Sequence, residues 1–127
     1  MRTLDACLVG SPDPRLTSAR ALLDLWEPEP TELDAFATLV DDGGPWGVVA
    51  PRVLEPGVGG LLVVGVVPGA RGQGRGNTAV AAGWSTLAST GCTRAREEIR
   101  TSHSAIRTIF ARAGLQETSR FWVARAD

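Results

Sequence analysis

A short run near the middle of the chain, in which glycine takes every second position, has the clearest chemical potential. It reads Arg71-Gly72-Gln73-Gly74-Arg75-Gly76. Glycines let a backbone approach a phosphate without a Cβ in the way, and arginine side chains add cationic hydrogen-bond donors. Because an amphipathic helix follows directly, its first N–H groups and the positive end of its dipole would face the same ligand. The run therefore predicts an anion site, and its geometry suits a pyrophosphate.

Other phosphate and nucleic-acid sites also use glycines, but with different spacing or context. A dinucleotide-binding turn needs G-x-G-x-x-G after the first strand of a βαβ unit, whereas this chain has G-x-G-x-G after a later strand. A nucleoside-triphosphate loop needs Gly-Lys before Ser or Thr, and the chain has no lysine. Arg-Gly segments that bind RNA lie in low-complexity tails, unlike this one. A turn without any ligand stays open as an alternative.

The distribution of charge supports an anion site in the second half of the chain. The formal net charge is −1, which by itself predicts neither nucleic acid nor membrane as a partner. Residues 1–70 hold 4 Arg and 10 acidic residues, whereas residues 71–127 hold 9 Arg and 4 acidic residues. An anion would bind the second half, and a cation would be attracted to the first.

Hydrophobic periodicity indicates which elements position this run. We expect a strand at Thr3–Val9, a helix from Asp13 to Trp26, and three consecutive antiparallel strands. The last of these strands is the most apolar and leads into the glycine-rich turn. The expected strands and helices that complete the chain are Leu33–Val40, Trp46–Val53, Gly60–Val67, a helix ending near Gly91, Cys92–Arg100, a helix at Ser104–Ala113, and Phe121–Ala124.

The two later helices should each bury one apolar face. The expected buried positions are Val80, Trp84, Leu87 and Ala88 in the first helix and Ile106, Ile109, Phe110 and Ala113 in the second. The order of elements is β-α-β-β-β-α-β-α-β, an α/β fold with a mixed, mostly antiparallel central sheet flanked by helices. At 127 residues we expect one domain, residues 1–127.

Composition excludes several classes of function. The longest apolar run, Leu61–Pro68, is far shorter than the roughly 20 residues of a membrane span. The first ten residues lack a signal peptide's apolar stretch and cleavage site, so we expect a cytoplasmic protein. Cys7, Cys92 and the single histidine, His103, cannot assemble a structural zinc site, and we predict no metal.

The stretch from Val66 to Gly76 resembles the signature motif of the GNAT acetyltransferases, Arg/Gln-x-x-Gly-x-Gly/Ala, here Arg71, Gly74 and Gly76. The order of elements agrees with that family along nearly the whole chain. The resemblance implies that this protein binds acetyl-CoA or coenzyme A. It further implies that Val66, Val67 and Pro68 line the pantetheine arm. The N–H groups from Gln73 to Gly76, aided by Gly72 and both arginines, would hold the pyrophosphate.

The second motif of that family is matched less well. The segment Ala105–Leu115 resembles a helix ending in a Gly-Phe pair, with Leu115 in the Phe place. The family usually has an Asn before this helix and, within it, a Tyr that protonates the departing thiolate. Here His103 and Phe110 stand at those places, so the resemblance implies a cofactor contact for Phe110 but no phenolic acid. Water or another donor could protonate the thiolate, which is weakly basic.

Several residues could take the proton from an attacking amine. Glu98, or Glu97 if the register differs by one, lies on the strand beside the cofactor strand. Glu55, in the turn before the cofactor strand, is a third candidate, and His103 is a candidate for a catalytic or cofactor contact. Each could instead be a solvated surface residue or a helix cap.

The acceptor side is short for the family, with one helix before the first hairpin and one strand after Gly114. Acidic residues near Trp26 (Glu27, Glu29 and Glu32) would suit a cationic amine. The site could be open to a peptide or protein amine, or completed by a second subunit in a homodimer. We expect an acyl-CoA-dependent N-acyltransferase, most simply an acetyltransferase, acting on a small-molecule, peptide or protein amine. The alternatives are a GNAT-like domain that binds acyl-CoA without turnover and an interaction domain without a cofactor.

Overall fold

The structure, a computed structural model, describes residues 2–8, 18, 20, 36–99 and 103–119. Three features expected from the sequence lie outside these residues. They are the helix from Asp13 to Trp26 except for Ser18 and Arg20, with its acidic neighbours, the first part of the strand expected at Leu33–Val40, and the closing strand Phe121–Ala124.

Three antiparallel strands, β1 (Ala37–Asp41), β2 (Gly44–Glu55) and β3 (Val58–Val66), form most of the sheet. Tight turns join them, and Gly44 and Gly57 adopt the positive φ angles, 101° and 80°, that these turns require. The predicted run of antiparallel strands leading into the glycine-rich turn is confirmed.

Strand β4 (Arg94–Ala95) adds to β3 in parallel, which gives the sheet order β1-β2-β3-β4. It is much shorter than the strand expected at Cys92–Arg100, because the chain leaves β3 soon after Ala95. Parallel pairing requires a crossover connection, which the helix α2 (Arg75–Ser89) supplies. The sheet is therefore mixed and mostly antiparallel, as predicted.

The first element is a helix, α1 (Arg2–Cys7), and the prediction of a strand at Thr3–Val9 was wrong. Leu4 and Cys7 are the buried side chains of this segment, and their spacing of three is helical. They pack on one sheet face against Val48 and Val63. Alternation over a few residues could not distinguish this single amphipathic turn from a short strand.

Helix α2 covers the opposite sheet face. Its Gly83 lies so close to the sheet that an added Cβ would come within 2.5 Å of Leu61 Cδ2 and 2.7 Å of Val49 Cγ2. Val80 and Leu87 are buried on this helix as expected, but Ala88 is exposed. The face turned to the sheet is thus narrower than the periodicity predicted.

Helix α3 (Ser104–Arg112) packs against α2, with Ile106 and Phe110 buried and Ile109 half-buried. Ala113 lies just beyond the helix and is exposed, contrary to expectation. Gly114 follows the end of the helix, and its φ of 98° is left-handed. Within the described parts of the chain, no helix is both long and apolar enough to cross a membrane. The same residues contain no cluster of three side chains suited to binding a metal ion.

Candidate functional site

An opening forms where β3 and β4 part. The two strands pair at Val58–Arg94 and Gly59–Ala95, and on the carboxy-terminal side of these pairs a bond runs from Arg96 N to Gly59 O over 2.9 Å. β3 continues to Val66 beyond this point. The second half of β3 therefore presents a strand edge that β4 does not cover.

The backbone of Val66 faces this opening. Val67 N donates to Trp46 O on β2 over 2.9 Å, and Val66 lies opposite Gly47 in the antiparallel register. Because successive residues of a strand direct their N–H and C=O groups to alternate edges, those of Val66 point away from β2. Its carbonyl oxygen accepts a hydrogen bond from Arg71 Nε at 3.0 Å.

Glu97 closes the narrow end of the opening. Both of its carboxylate oxygens lie 3.0 Å from the backbone nitrogen of Leu61, and Oε1 also accepts from Trp84 Nε1 at 3.1 Å. One donor belongs to β3 and the other to α2. The carboxylate is therefore fixed between the sheet and the helix that connects β3 with β4.

The environment of Glu97 makes it a stronger base than an exposed carboxylate. Burial raises the pKa of Glu97 above its ordinary value, and the hydrogen bonds from Leu61 and Trp84 oppose that rise without cancelling it. A carboxylate whose pKa is raised towards neutral is better suited to accept a proton from an amine.

The glycine-rich turn lies at the wide end of the opening. After a single 3₁₀ turn at Pro68–Ala70, Gly72 and Gly74 adopt left-handed φ angles of 78° and 73°. Gly74 is the residue that precedes α2, and a Cβ at either glycine would meet nothing within 4 Å. The space into which a Cβ of Gly72 or Gly74 would project is therefore open.

Unpaired N–H groups surround this open space. Among the described residues, none accepts a hydrogen bond from the backbone N–H groups of residues 73–76. The first turn of α2 carries no acidic residue that would offset the positive end of its dipole. Unpaired N–H groups at the start of a 15-residue helix form a site for an anion. The residues present therefore fit a phosphate group.

Arg71 joins three elements around the turn. Besides the bond to Val66, its terminal Nη2 donates to Cys7 O over 3.0 Å, at the carboxy-terminal end of α1. His103 is close enough that the positive charge of Arg71 contributes to a lowered pKa of the imidazole, of which burial is the main cause. Arg71 thus binds carbonyl groups of its own chain.

Arg75 is bound on the other side of the turn. Its guanidinium forms an ion pair with Asp41 and lies over the buried ring of Trp46, 4.9 Å from the ring centroid. Its Nε also lies 3.5 Å from Gln73 Oε1. The hydrogen bond from Arg75 is the main cause of the lowered pKa of Asp41.

The other predicted catalytic residues lie in surroundings that differ from those of Glu97. Glu98 is exposed, as is Glu55, whose carboxylate lies 3.8 Å from Arg96. His103 immediately precedes α3 but forms no side-chain cap there. The catalytic assignments stay predictions, and Glu97 is the acid that the fold brings into the opening.

Phe110 lies in the hydrophobic cluster beneath the opening. It is 5% exposed, and its ring stacks on Trp84 with a centroid distance of 5.8 Å. Leu115 packs against the same cluster, and its N–H bonds to Phe110 O. The expected cofactor contact of Phe110 stays a prediction, and the described contacts of its ring are with the core.

Sequence reasoning missed Asp41 and the roles of Trp46 and Trp84. Trp84 was expected only as part of an apolar helix face, and Trp46 only as the start of a strand. A tryptophan carries one N–H donor that needs a partner when it is buried, which was the available signal for Trp84. Asp41 gave no such signal, because its partner is distant in sequence.

Comparison of the sequence with protein-family models and with curated proteins finds no match. The structure, in contrast, is similar to several solved acetyltransferases. One is AAC(6')-Iy in complex with the bisubstrate analogue CoA-S-monomethyl-acetylneamine, at 21% identity and a TM-score of 0.64, covering 93% of this chain and 82% of that chain. Ard1 from Thermoplasma volcanium is 19% identical with a TM-score of 0.69, covering 93% and 79%. An IAA acetyltransferase from Bacillus cereus is 17% identical with a TM-score of 0.64, covering 84% and 75%.

These solved structures share the arrangement of sheet and helices over most of their length. The order of elements and the motif at Arg71, Gly74 and Gly76 pointed to the same architecture. The chain therefore has the fold of the GNAT N-acetyltransferases.

Proposed function

We propose that this protein is an acyl-CoA-dependent N-acyltransferase that transfers an acyl group, most simply acetyl, to an amine. One observation carries the proposal. β3 parts from β4 after Gly59 and runs into a glycine turn at the start of helix α2, where the N–H groups of residues 73–76 have no acceptor among the described residues. A strand edge for an amide-containing arm and an anion site for a pyrophosphate thus lie at successive points along the same opening.

The residues along the opening can be assigned to parts of coenzyme A. The backbone N–H groups of residues 73–76, with the space in front of Gly72 and Gly74, would hold the pyrophosphate. The edge of β3 near Val66, with Val67 and Pro68, would pair with the amides of the pantetheine arm. Arg71 and Arg75 add positive charge at the turn, although their side chains bind groups of this chain.

Glu97 is the residue best placed to act as the base. In the transfer, the amine nitrogen attacks the thioester carbonyl carbon, a C–N bond forms, and the C–S bond breaks to release the thiolate. As the C–S bond breaks, the nitrogen loses its last surplus proton to solvent; an acceptor that arrives positively charged has, before the attack, given one proton to Glu97, directly or through a water molecule. The hydrogen bonds from Leu61 and Trp84 keep the carboxylate oriented while it accepts that proton.

Protonation of the thiolate does not depend on a phenol in this protein. The chain contains no tyrosine, and Phe110 is buried against Trp84. A thiolate is a weak base that water can protonate at neutral pH, so the reaction is complete without an acid at this place. We therefore propose direct transfer with solvent as the final proton donor.

For the acceptor, we propose only a chemical class of amine. AAC(6')-Iy is an aminoglycoside N-acetyltransferase, and it shares the fold at low identity. For the present chain, a carboxylate at the narrow end of the opening favours a positively charged amine as the acceptor.

Calorimetric titration with acetyl-CoA tests the cofactor site. We expect micromolar binding, and we expect Gly74→Val to weaken it because a β-branched residue cannot adopt the left-handed φ of 73° without strain. Gly69→Ala is the matched control, because its added Cβ would also meet nothing within 4 Å and its φ is not positive. Absence of binding to the wild-type protein at millimolar ligand would overturn the proposal.

Turnover with a panel of amines separates an enzyme from a domain that only binds acyl-CoA. We expect Glu97→Gln to lower kcat strongly while leaving acetyl-CoA affinity unchanged, because Glu97 lies away from the glycine turn. Glu98→Gln removes the same charge from the next, exposed position and should keep activity. Tight acyl-CoA binding without turnover of any amine would favour the non-catalytic alternative.

A further inference from the structure

The side chain of Arg75 is held at three points, all within its own chain. It pairs with Asp41, lies 4.9 Å above the ring of Trp46, and approaches Gln73 Oε1 at 3.5 Å. Its guanidinium side chain is only 28% exposed. A cation already placed between a carboxylate and an aromatic ring is poorly available as a free phosphate ligand.

The place of Arg75 in the backbone gives these contacts a second consequence. Arg75 is the first residue of α2 and directly follows Gly74, which has a left-handed φ of 73°. Its backbone N–H is among the unpaired groups of the anion site. Fixing this side chain therefore fixes the point at which the glycine turn becomes a helix.

Asp41 is itself well anchored at the end of β1. A register shift between Leu39 and Val40 changes the pairing of the strand just before Asp41, and a bulge of this kind redirects the side chains that follow. One carboxylate oxygen accepts from Gly43 N at 2.8 Å within the hairpin turn, and the other binds Arg75. Asp41 thus connects the β1–β2 hairpin to the start of α2.

We propose that Asp41 is a positioning residue of the anion site, which acts through Arg75 to hold the backbone N–H groups of residues 73–76 in the arrangement that binds phosphate. This inference rests on the proposed function and deepens it. Glycines at positions 72 and 74 give the turn wide conformational freedom, and a turn ordered before binding loses less entropy when the ligand arrives.

Simple electrostatics predicts the opposite sign for the same residue. A carboxylate near an anion site should repel a phosphate, so its neutralisation should tighten binding. Neutralisation of Asp41 should also tighten phosphate binding if Asp41 merely competes with the phosphate for Arg75. A positioning role, in contrast, requires that neutralisation weaken binding. The sign of the change therefore distinguishes the two roles.

The test compares Asp41→Asn with Asp42→Asn by calorimetric titration with coenzyme A and with dephospho-coenzyme A. An asparagine at position 41 keeps an oxygen for Gly43 N but loses the charge that binds Arg75. Asp42 is an exposed acid in the same hairpin, so its variant has the same net charge. We expect Asp41→Asn to weaken both ligands about fivefold, and Asp42→Asn to leave both unchanged or slightly tighter.

Both ligands contain the pyrophosphate. An equal loss of affinity for the two ligands would therefore indicate that the substitution acts at the glycine turn. Unchanged or tighter binding of Asp41→Asn, or equal weakening by both variants, would overturn the proposal. In an Arg75→Met background, Asp41→Asn should have no further effect, because the residue through which it acts is gone.

A measurement without ligand keeps this inference separate from the proposed function. NMR order parameters of the amides of residues 73–77 should fall in Asp41→Asn but not in Asp42→Asn, whether or not coenzyme A binds. Failure of the wild-type protein to bind coenzyme A would overturn the proposed function alone. Unchanged order parameters in Asp41→Asn would overturn the positioning role of Asp41.

Discussion

The indole Nε1–H of Trp84 donates to Oε1 of Glu97 over 3.1 Å. This bond joins the middle of α2 to the segment that follows β4, at the point where the sheet opens. The indole ring of Trp84 also stacks on the buried ring of Phe110, and this contact fixes its orientation. The orientation of the carboxylate is thus set by core packing.

Trp84→Phe should raise the pKa of Glu97 further. The variant keeps an aromatic ring for the stack but removes the N–H that stabilises the charged carboxylate, so burial acts with less opposition. A carbon-detected NMR titration of the Glu97 carboxyl measures the shift directly. If the protein is active, the acidic limb of its pH–rate profile should move to higher pH in the same variant, because Glu97 must be deprotonated to accept a proton.

The same substitution should lower the free energy of unfolding by about 1.5–3 kcal/mol, the cost of losing a hydrogen bond to a charged group. Glu97→Gln serves to assign the titrating signal. A carboxyl that titrates at the same pH in Trp84→Phe and in the wild type would show that the indole does not influence the charge of Glu97.

Glu97 should also make the stability of the fold depend on pH. Because burial raises the pKa of Glu97 in the folded protein, the folded state holds its proton more tightly than the unfolded state does. The resulting contribution to stability is fully present below the unfolded pKa and is lost as the pH rises through the folded pKa. Relative to Glu97→Gln, the wild-type protein should therefore be less stable at neutral pH than at low pH.

Urea denaturation of both proteins across the acidic range to neutral pH checks this difference. Other carboxylates titrate in both proteins, so their contributions cancel in the comparison. A difference between wild type and Glu97→Gln that does not change with pH would contradict the raised pKa.

Gly83→Ala should destabilise the protein. The added Cβ would lie 2.5 Å from Leu61 Cδ2 and 2.7 Å from Val49 Cγ2, so α2 or the sheet must move. Overpacking of this kind costs about 1–3 kcal/mol, and the better helix propensity of alanine offsets part of it. Gly69→Ala, which adds a Cβ in open space, should stay within about 1 kcal/mol of wild type. Thermal or urea unfolding of the two variants and the wild type measures these differences in stability.

Phe110→Tyr should cost stability without increasing activity. Phe110 is 5% exposed inside an apolar cluster, and burying a hydroxyl without a partner costs about 1–3 kcal/mol. Faster turnover of Phe110→Tyr at unchanged stability would instead mean that the hydroxyl reaches the opening and serves as an acid.

Local patterns predicted the parts of the fold that depend on neighbours in sequence. The glycine turn at residues 71–76, the hairpin turns at Gly44 and Gly57, and the end of α3 at Gly114 all require backbone conformations that glycine favours. These positions could be recognised without knowing what surrounds them. The arrangement proposed as the anion site was predictable for the same reason, since it consists of a turn and the helix that follows it.

Contacts between distant residues could not be predicted in the same way. Arg71 and Arg75 were expected to face a phosphate, but Cys7 and Asp41 bind them across the fold. The choice between Glu97 and Glu98 depended on where β4 ends, because one residue of shift reverses the direction of a side chain. The short α1 was mistaken for a strand because its burial is decided by packing on Val48 and Val63.

The short parallel pairing of β4 has a consequence for how the molecule assembles. The hairpins of β1, β2 and β3 close between neighbours in sequence, whereas Gly59 can meet Ala95 only after the whole of α2 has formed and crossed the sheet. Pairings across long loops form slowly in folding. We therefore expect the opening to form later than the hairpins on the folding pathway, and a nascent chain cannot complete it before Ala95 has been synthesised.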